Sequence, residues 1–422
     1  MMHMLRLLLL LAAAPALHAQ QPADELRVFL MTMGPGDAVW ERFGHNAIVV
    51  EDNRRGTSIA YNWGMFDFAK PGYVRELMKG RMIYWMAGYD TQLFANAYVQ
   101  QNRSIWMQEL NLTPQQKIAM RDFVEWNALE ANKLYRYDYY RDNCSTRVRD
   151  AIDRALGGQL AAVLKASPTP ETYRSHTQRL TYDDPLTYTG LQLAMGNPID
   201  QPLTAWEEAF IPMELQEQVR QVRIRDASGR EVPLVGREFT IFEANREPRP
   251  EHAPNLIVWY LLAGLAFAGL LLWLARGELN RARRIALAIL IGTWTLLTGF
   301  FGTLIILLWA FTDHAVTYYN ENLLQANPLL LALAVFAPWA LLKARGQQTA
   351  ARLALGIAGL SVLGFLLQVF PGLDQVNGEI IALMLPVHSA IAYAMANFAT
   401  STAQRIRRNE YGATNTASTK RV

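Results

Sequence analysis

Cysteine is almost missing from this chain of 422 residues: Cys144 is the only one. An internal disulfide is excluded, which leaves an inert buried filler, an intermolecular bridge or a reactive thiol. Zinc-type Cys/His spacing and a glycine-rich phosphate loop are also missing, so no cofactor and no metal are expected. No repeat occurs apart from hydrophobic runs. The net charge of +3 averages two unlike halves, and it argues for no nucleic-acid partner. Between about Gln20 and Pro254 the chain has no long hydrophobic stretch; beyond that point charge becomes scarce.

The ends and the runs set the expected organisation. Arg6, the apolar stretch Leu7 to Ala14 and the small-residue exit Leu17-His18-Ala19 predict a signal peptide over 1–19, too short to cross a bilayer. A soluble domain is expected over 20–242 and a proline-rich linker over 243–255. Five membrane helices are expected within 256–398, from the runs 256–275, 285–311, 328–342, 353–370 and 380–398, followed by a tail over 399–422. Arg276, Arg281, Arg283 and Arg284 follow the first run, Lys343, Arg345 and Arg352 the third, and Arg405, Arg407, Arg408, Lys420 and Arg421 the fifth. The loops 312–327 and 371–379 hold no lysine or arginine. The positive-inside rule then puts the C-terminus in the cytoplasm and the soluble domain on the outer side with the two uncharged-to-acidic loops. His388, inside the last run, is expected to be a neutral histidine bonded to a neighbouring helix.

Within the soluble half, 45–51 and 57–63 are strand candidates around a turn over 52–56. With a loop over 52–55, Glu51 pairs with Gly56 and His45 faces Asn62, close enough for Asn62 to hold one imidazole nitrogen. That face also carries Ala47, Val49, Ser58 and Ala60, and its small residues are expected to receive a helix. The proposed helix is 143–156: Asn143 suits the N-cap, Val148, Ile152 and Leu156 recur at four-residue spacing from Cys144, and Gly157-Gly158 ends it. Cys144 then lies in the first turn, where free N–H groups and the helix dipole favour a thiolate, with Arg141 and Arg147 adding positive charge and Asp142 opposing it. A further helix is expected from Thr113-Pro114-Gln115-Gln116, a capping box, to about Leu129, with strands over 103–110 and 222–242, the latter broken by a turn at 226–229.

A histidine opening one strand, a polar residue on the next and an Asn-Cys pair opening a later helix resemble the circularly permuted papain-like enzymes, the group with the NlpC/P60-related and lecithin:retinol acyltransferase-like (LRAT-like) folds. The chain is more similar still to the Lnb family of bacterial membrane proteins. The residues that carry this likeness are Arg42-Phe43-Gly44-His45, Tyr61-Asn62-Trp63-Gly64-Met65-Phe66-Asp67-Phe68, Tyr140-Arg141-Asp142-Asn143-Cys144-Ser145-Thr146, Asp313-His314, Asn320-Glu321-Asn322-Leu323-Leu324 and Asn327-Pro328-Leu329. The resemblance implies an α+β papain-like periplasmic domain followed by an all-α five-helix domain in the bacterial inner membrane. It implies an acyltransferase in which Cys144 takes an acyl chain from phospholipid and passes it to an amine, the N-terminal Cys of a diacylated lipoprotein. Under it His45 is the base, Asn62 its orienting partner, and Arg141, Asn143, Arg147, Asp313, His314, Asn320 and Asn322 are expected around the substrates. A cysteine amidase or peptidase acting on cell-wall peptides, and a non-catalytic membrane assembly protein, are the alternatives. Membrane helices favour acyl transfer, because a soluble peptidase needs none.

Overall fold

The computed structural model describes residues 25–343 and 345–419, and the expected signal peptide lies outside them. The described chain divides into two compact units. The first, residues up to 67, 83–168 and 204–246, is built on an antiparallel seven-stranded sheet. Its strands are β1 (Leu26–Met33), β2 (His45–Asp52), β3 (Thr57–Met65), β4 (Ile83–Asp90), β5 (Ile105–Leu110), β6 (Leu134–Arg136) and β9 (Val235–Phe242), in the order β6-β4-β3-β2-β1-β5-β9. The short strands β7 (Arg223–Arg225) and β8 (Glu231–Pro233) pair separately across the expected turn. β1 and β2, rich in Val, Ile, Leu, Phe and Met, are almost wholly buried and occupy the middle of the sheet.

The β2–β3 register differs from the expected one. Asp52 pairs with Thr57 and Ala47 with Asn62, so Glu51 faces Ser58 and the ladder stops two residues short of His45. Asp52 stays in the strand because its carboxylate accepts the Arg55 N–H at 3.0 Å, which tightens the turn over the next residues. A slip of two positions keeps every side chain on its face. His45 and Asn62 therefore still share one, as diagonal rather than direct neighbours.

Faces are assigned differently as well. The small-residue face is covered by α2 (Thr91–Gln100), whose Ala95 packs with Ala47, Val49 and Ala60 and whose Phe94, Tyr98 and Val99 close over them. The cysteine helix α4 (Cys144–Ala155) takes the opposite face: Asn46 Nδ2 donates to Ser145 Oγ at 3.0 Å, and Trp63 Nε1 donates to Asn127 Oδ1 of α3 (Pro114–Asn127) at 2.9 Å. The bulky Ile48, Val50, Tyr61 and Trp63 supply the deeper apolar surface that Val148 and Ile152 bury, which the small face does not. α5 (Gln159–Leu164), α8 (Ala205–Glu208) and α9 (Pro212–Gln221) complete this unit.

The second unit, residues 68–82, 169–203 and from 247 onward, holds the apolar helices. They are α10 (Ile257–Ala275), α11 (Arg281–Phe311), α12 (Leu329–Lys343), α13 (Gln347–Leu367) and α14 (Gly378–Thr419). Five segments are long and apolar enough to cross a membrane: Ile257–Ala275, Arg281–Phe311, Glu321–Lys343, Gln347–Leu367 and Gly378–Thr402. Most lie close to the hydrophobic runs. α11 starts four residues before its run because Asn280 caps it through the Arg283 N–H at 3.0 Å. His388 on α14 bonds Ser361 Oγ of α13 through Nδ1 at 2.6 Å, as expected of an intramembrane histidine.

This unit also takes in two stretches of the soluble half. α1 (Tyr73–Met78) is one; α6 (Tyr173–Thr181) and α7 (Pro185–Ala194) form the other. α6 is polar by composition yet buried along its length. The buried guanidinium of Arg174 pairs with Asp200 and donates to the carbonyls of Met195 and Gly196 at 3.1 and 3.0 Å, so its charge is not left unmatched.

Candidate active site

Asn143 is buried and every polar atom of its side chain is used. Oδ1 accepts the N–H groups of Ser145 and Thr146 at 2.9 and 3.0 Å, while Nδ2 donates to the carbonyls of Tyr139 and Phe210 at 3.0 Å each. Thr146 Oγ1 accepts the Asn143 N–H in return, closing a capping box. Asn143 thus fixes where α4 begins and where Cys144 stands, and leaves no group for a substrate.

Cys144 meets His45 across Gly64. A Cβ on Gly64 would lie 3.4 Å from Cys144 Cβ and 3.7 Å from His45 Cε1. Gly64 has φ +101° and interrupts the β3–β4 pairing between Asn62 and Met65, a conformation that glycine adopts at little cost. Asn62, fully buried, donates from Nδ2 to Ala87 O at 3.1 Å, which turns its Oδ1 toward His45 Nε2 at 3.3 Å. That arrangement puts the ring proton on Nε2 and leaves the Nδ1 lone pair for the thiol. A direct Sγ–Nδ1 hydrogen bond is not among the contacts of the described residues.

The family model of the Lnb N-terminal periplasmic domain matches residues 13–179. That stretch of the chain matches the Lnb N-terminal periplasmic domain. No curated protein and no solved structure matches it significantly. The matched stretch of the Lnb domain holds His45, Asn62 and Cys144 together, and the five apolar helices follow it.

The electrostatics of the Lnb domain run against the expectation of a lowered thiol. Burial pushes Cys144 up to about 11, although the backbone N–H groups of Asn46, Ser145 and Cys144 and the charge of Arg103 pull the other way. Burial, reinforced by Arg103, pushes His45 down to about 4, with the Asn62 hydrogen bond opposing. The resting pair is a neutral thiol beside a neutral imidazole. The first-turn N–H groups are outweighed by desolvation.

Arg103, rather than Arg141 or Arg147, is the cation of the site. It is buried, donates to Gly34 O at 2.9 Å, and stacks 4.6 Å from the Tyr98 ring, which in turn lies 6.2 Å from the His45 ring and nearly parallel to it. Arg141 is exposed, and Arg147 forms an ion pair with Asp142 while lying 4.3 Å over Tyr135. Sequence reasoning had no signal for Arg103, whose place depends on strand pairing. Gly64 did carry one, as a lone glycine in a strand pattern.

A cavity of about 540 Å3 opens from Cys144, His45 and Asn62, with walls of Phe66, Tyr84, Phe94, Tyr98 and Tyr137 and a rim where Trp40 and Leu93 are exposed. Arg103 and Glu41 are its ionic groups near the histidine, 3.8 Å apart. A cavity of this size and lining suits an apolar ligand of drug-like bulk.

Asp313, His314, Asn320 and Asn322 belong to the second unit. Asp313 pairs with Arg81 at 2.8 Å and His314 Nε2 contacts Leu77 O at 2.9 Å, both in the stretch carrying α1. Asn320 donates to the carbonyls of Leu193 and Ala194, and Asn322 to those of Gln192 and Leu193, at 2.9 to 3.1 Å. These residues fasten the 312–327 loop to α1 and α7, and their amide donors are spent there.

Gly64→Ala is expected to impose about 1–2 kcal/mol of backbone strain and to set a methyl group between thiol and imidazole. Thermal unfolding beside Cys144 alkylation and turnover checks this: activity should fall further than the lost stability explains. Full activity with ordinary stability would refute the role given to this glycine.

Proposed function

We propose that this protein is a cysteine acyltransferase of the inner membrane, with its Lnb domain in the periplasm and its C-terminus in the cytoplasm. It moves an acyl chain from phospholipid through a Cys144 thioester to an amine, the N-terminal Cys of a diacylated lipoprotein. The observation that carries the reading is the Cys144–His45–Asn62 set at the floor of an aromatic cavity, in a chain with five candidate spans. Cell-wall peptides, which are polar, have little to gain from such walls; an acyl chain does. The order of histidine strand before cysteine helix suits a circularly permuted papain-like fold.

His45 Nδ1 takes the Cys144 proton as sulfur attacks the ester carbonyl. Backbone N–H groups of the first turn of α4, near the sulfur, are the donors assigned to the developing oxyanion. Collapse of the tetrahedral intermediate breaks the ester C–O bond, and the imidazolium returns its proton to the leaving lysophospholipid. The amine then attacks the thioester, Nδ1 takes an amine proton, and the sulfur leaves and is reprotonated. Purified protein with phospholipid and a diacylated lipopeptide should yield an amide-linked third chain and one lysophospholipid per turnover. Peptide cleavage without lipid would move the assignment to an amidase.

The starting pair also sets a pH profile. His45 acts as a base only when neutral; its neutral form is lost as pH falls through about 4, well below the ordinary histidine range. The acid limb of kcat/KM is therefore expected near 4, with a plateau through neutral pH and no fall near 6.5. A limb near 6.5 would mean that His45 is solvated in the working enzyme.

A further inference from the structure

Three polar side chains, each with a buried atom that lacks a partner, line one small cavity in the second unit. The cavity, about 310 Å3, lies at the N-terminal ends of α10 and α14 and is lined by Gln178, Gln192, Asn255, Asn377 and Glu379 together with Ile257. Glu379 Oε1 accepts from Tyr188 OH at 3.0 Å and from the Leu256 N–H at 3.1 Å, while Oε2 is buried with no partner. Among the described residues the cation acting on this carboxylate is Arg174, through space, and Arg174 is already paired with Asp200. Asn377, 4% exposed, has an unpartnered Oδ1.

Gln192, 2% exposed, supplies the complementary sign. Its Oε1 accepts from Arg174 Nη1 at 3.2 Å and from Gln178 Nε2 at 3.3 Å, which fixes the amide orientation and leaves Nε2 buried without an acceptor. One cavity thus offers a carboxylate oxygen and an amide oxygen as acceptors and an amide nitrogen as donor. Leaving such groups unmatched costs about 1–3 kcal/mol each, and more for a charge.

We propose that this cavity binds a primary ammonium group carrying an acceptor oxygen a few bonds away. The ammonium donates to Glu379 Oε2 and Asn377 Oδ1, and the acceptor oxygen receives Gln192 Nε2. The inference takes its choice of ligands from the acyl-transfer reading, since two amphiphiles in that reaction carry this chemistry: an ethanolamine phospholipid, with its phosphate oxygen, and a lipopeptide, with the carbonyl next to its free amine. Both α10 and α14 begin on the same face of the membrane, because four crossings separate them.

The test is binding, read by native mass spectrometry on the full-length Cys144→Ala protein in detergent, so that no turnover consumes the ligand. The probes are phosphatidylethanolamine, its N-methyl, N,N-dimethyl and N,N,N-trimethyl forms, and a diacylated lipopeptide with a free or an acetylated amine. Affinity should fall along the methyl series, by about tenfold or more at the trimethyl end, which keeps the charge but has no N–H to donate. The Glu379→Gln variant should erase that preference. A graded response to the lipid series alone identifies the donor head group; a response to amine acetylation alone identifies the acceptor. Equal binding throughout both series, or an undiminished preference in Glu379→Gln, overturns the proposal. The methyl series needs no mutation, so it decides even if Glu379→Gln fails to fold. If the wild-type protein acylates no lipopeptide while the preference is preserved, the reading of Cys144 alone is refuted; if the wild-type protein acylates lipopeptide and no preference is found, the cavity alone is refuted.

Discussion

Cys144→Ala is expected to abolish acyl transfer, by at least about 10⁴-fold, while the protein stays folded and membrane-inserted. The side chain is small, partly buried and closes no disulfide, so its removal should cost about 1 kcal/mol. The capping interactions that begin α4 belong to Asn143 and Thr146 and survive the change. Cys144→Ser should fail too: even a thiol pushed up to about 11 gives its proton to a neutral imidazole far more readily than a hydroxyl does, and sulfur is the better leaving group in the second half-reaction. Intact-mass measurement after incubation with phospholipid separates the outcomes. The wild-type protein should gain one acyl mass on Cys144 and neither variant should; acylated lipopeptide from Cys144→Ala would end the covalent mechanism.

His45→Ala should lower the rate of Cys144 acylation by about 10²–10⁴-fold, with little change in phospholipid binding. The ring makes one side-chain hydrogen bond and lies beside Tyr98 and Phe94, so its loss leaves a cavity and costs some stability as well. Asn62→Ala is the control for geometry: it keeps the base and releases the ring, so it should cost less than His45→Ala and move the acid limb lower, because the lost hydrogen bond opposes the downward shift of the imidazole. Single-turnover thioester formation as a function of pH reads both. His45→Ala should lose the limb near 4, and an unchanged rate would remove His45 from the reaction.

What the sequence revealed follows the range of the interactions involved. The α4 N-terminus was legible because its determinants, Asn143 and Thr146, sit three residues apart. The spans were legible because hydrophobicity over about 20 residues leaves few other fates. The β2–β3 strands were legible but their register was not, since one Asp52 hydrogen bond moved the turn. The thiol shift was misjudged because its cause, burial, is set by partners distant in sequence, and it outweighs both the first-turn N–H groups and Arg103, which reaches in from just before β5 and pulls the other way. The soluble half also looked continuous up to the linker, whereas the polar helix α6 is buried with the apolar helices through pairings such as Arg174 with Asp200. Partners so far apart in sequence leave no periodic trace.

The division of the chain carries a consequence for biosynthesis. Residues 68–82 and 169–203 leave the ribosome well before the segments of 247–419 they pack with, and the chain passes between the two units five times. Neither unit is a continuous stretch that can be cut out and made alone. A secreted fragment ending before the first span would retain α1, α6 and α7 without the surfaces that bury them. The polypeptide must therefore hold these pieces in waiting until the last helix has been inserted, and only then is the second unit complete.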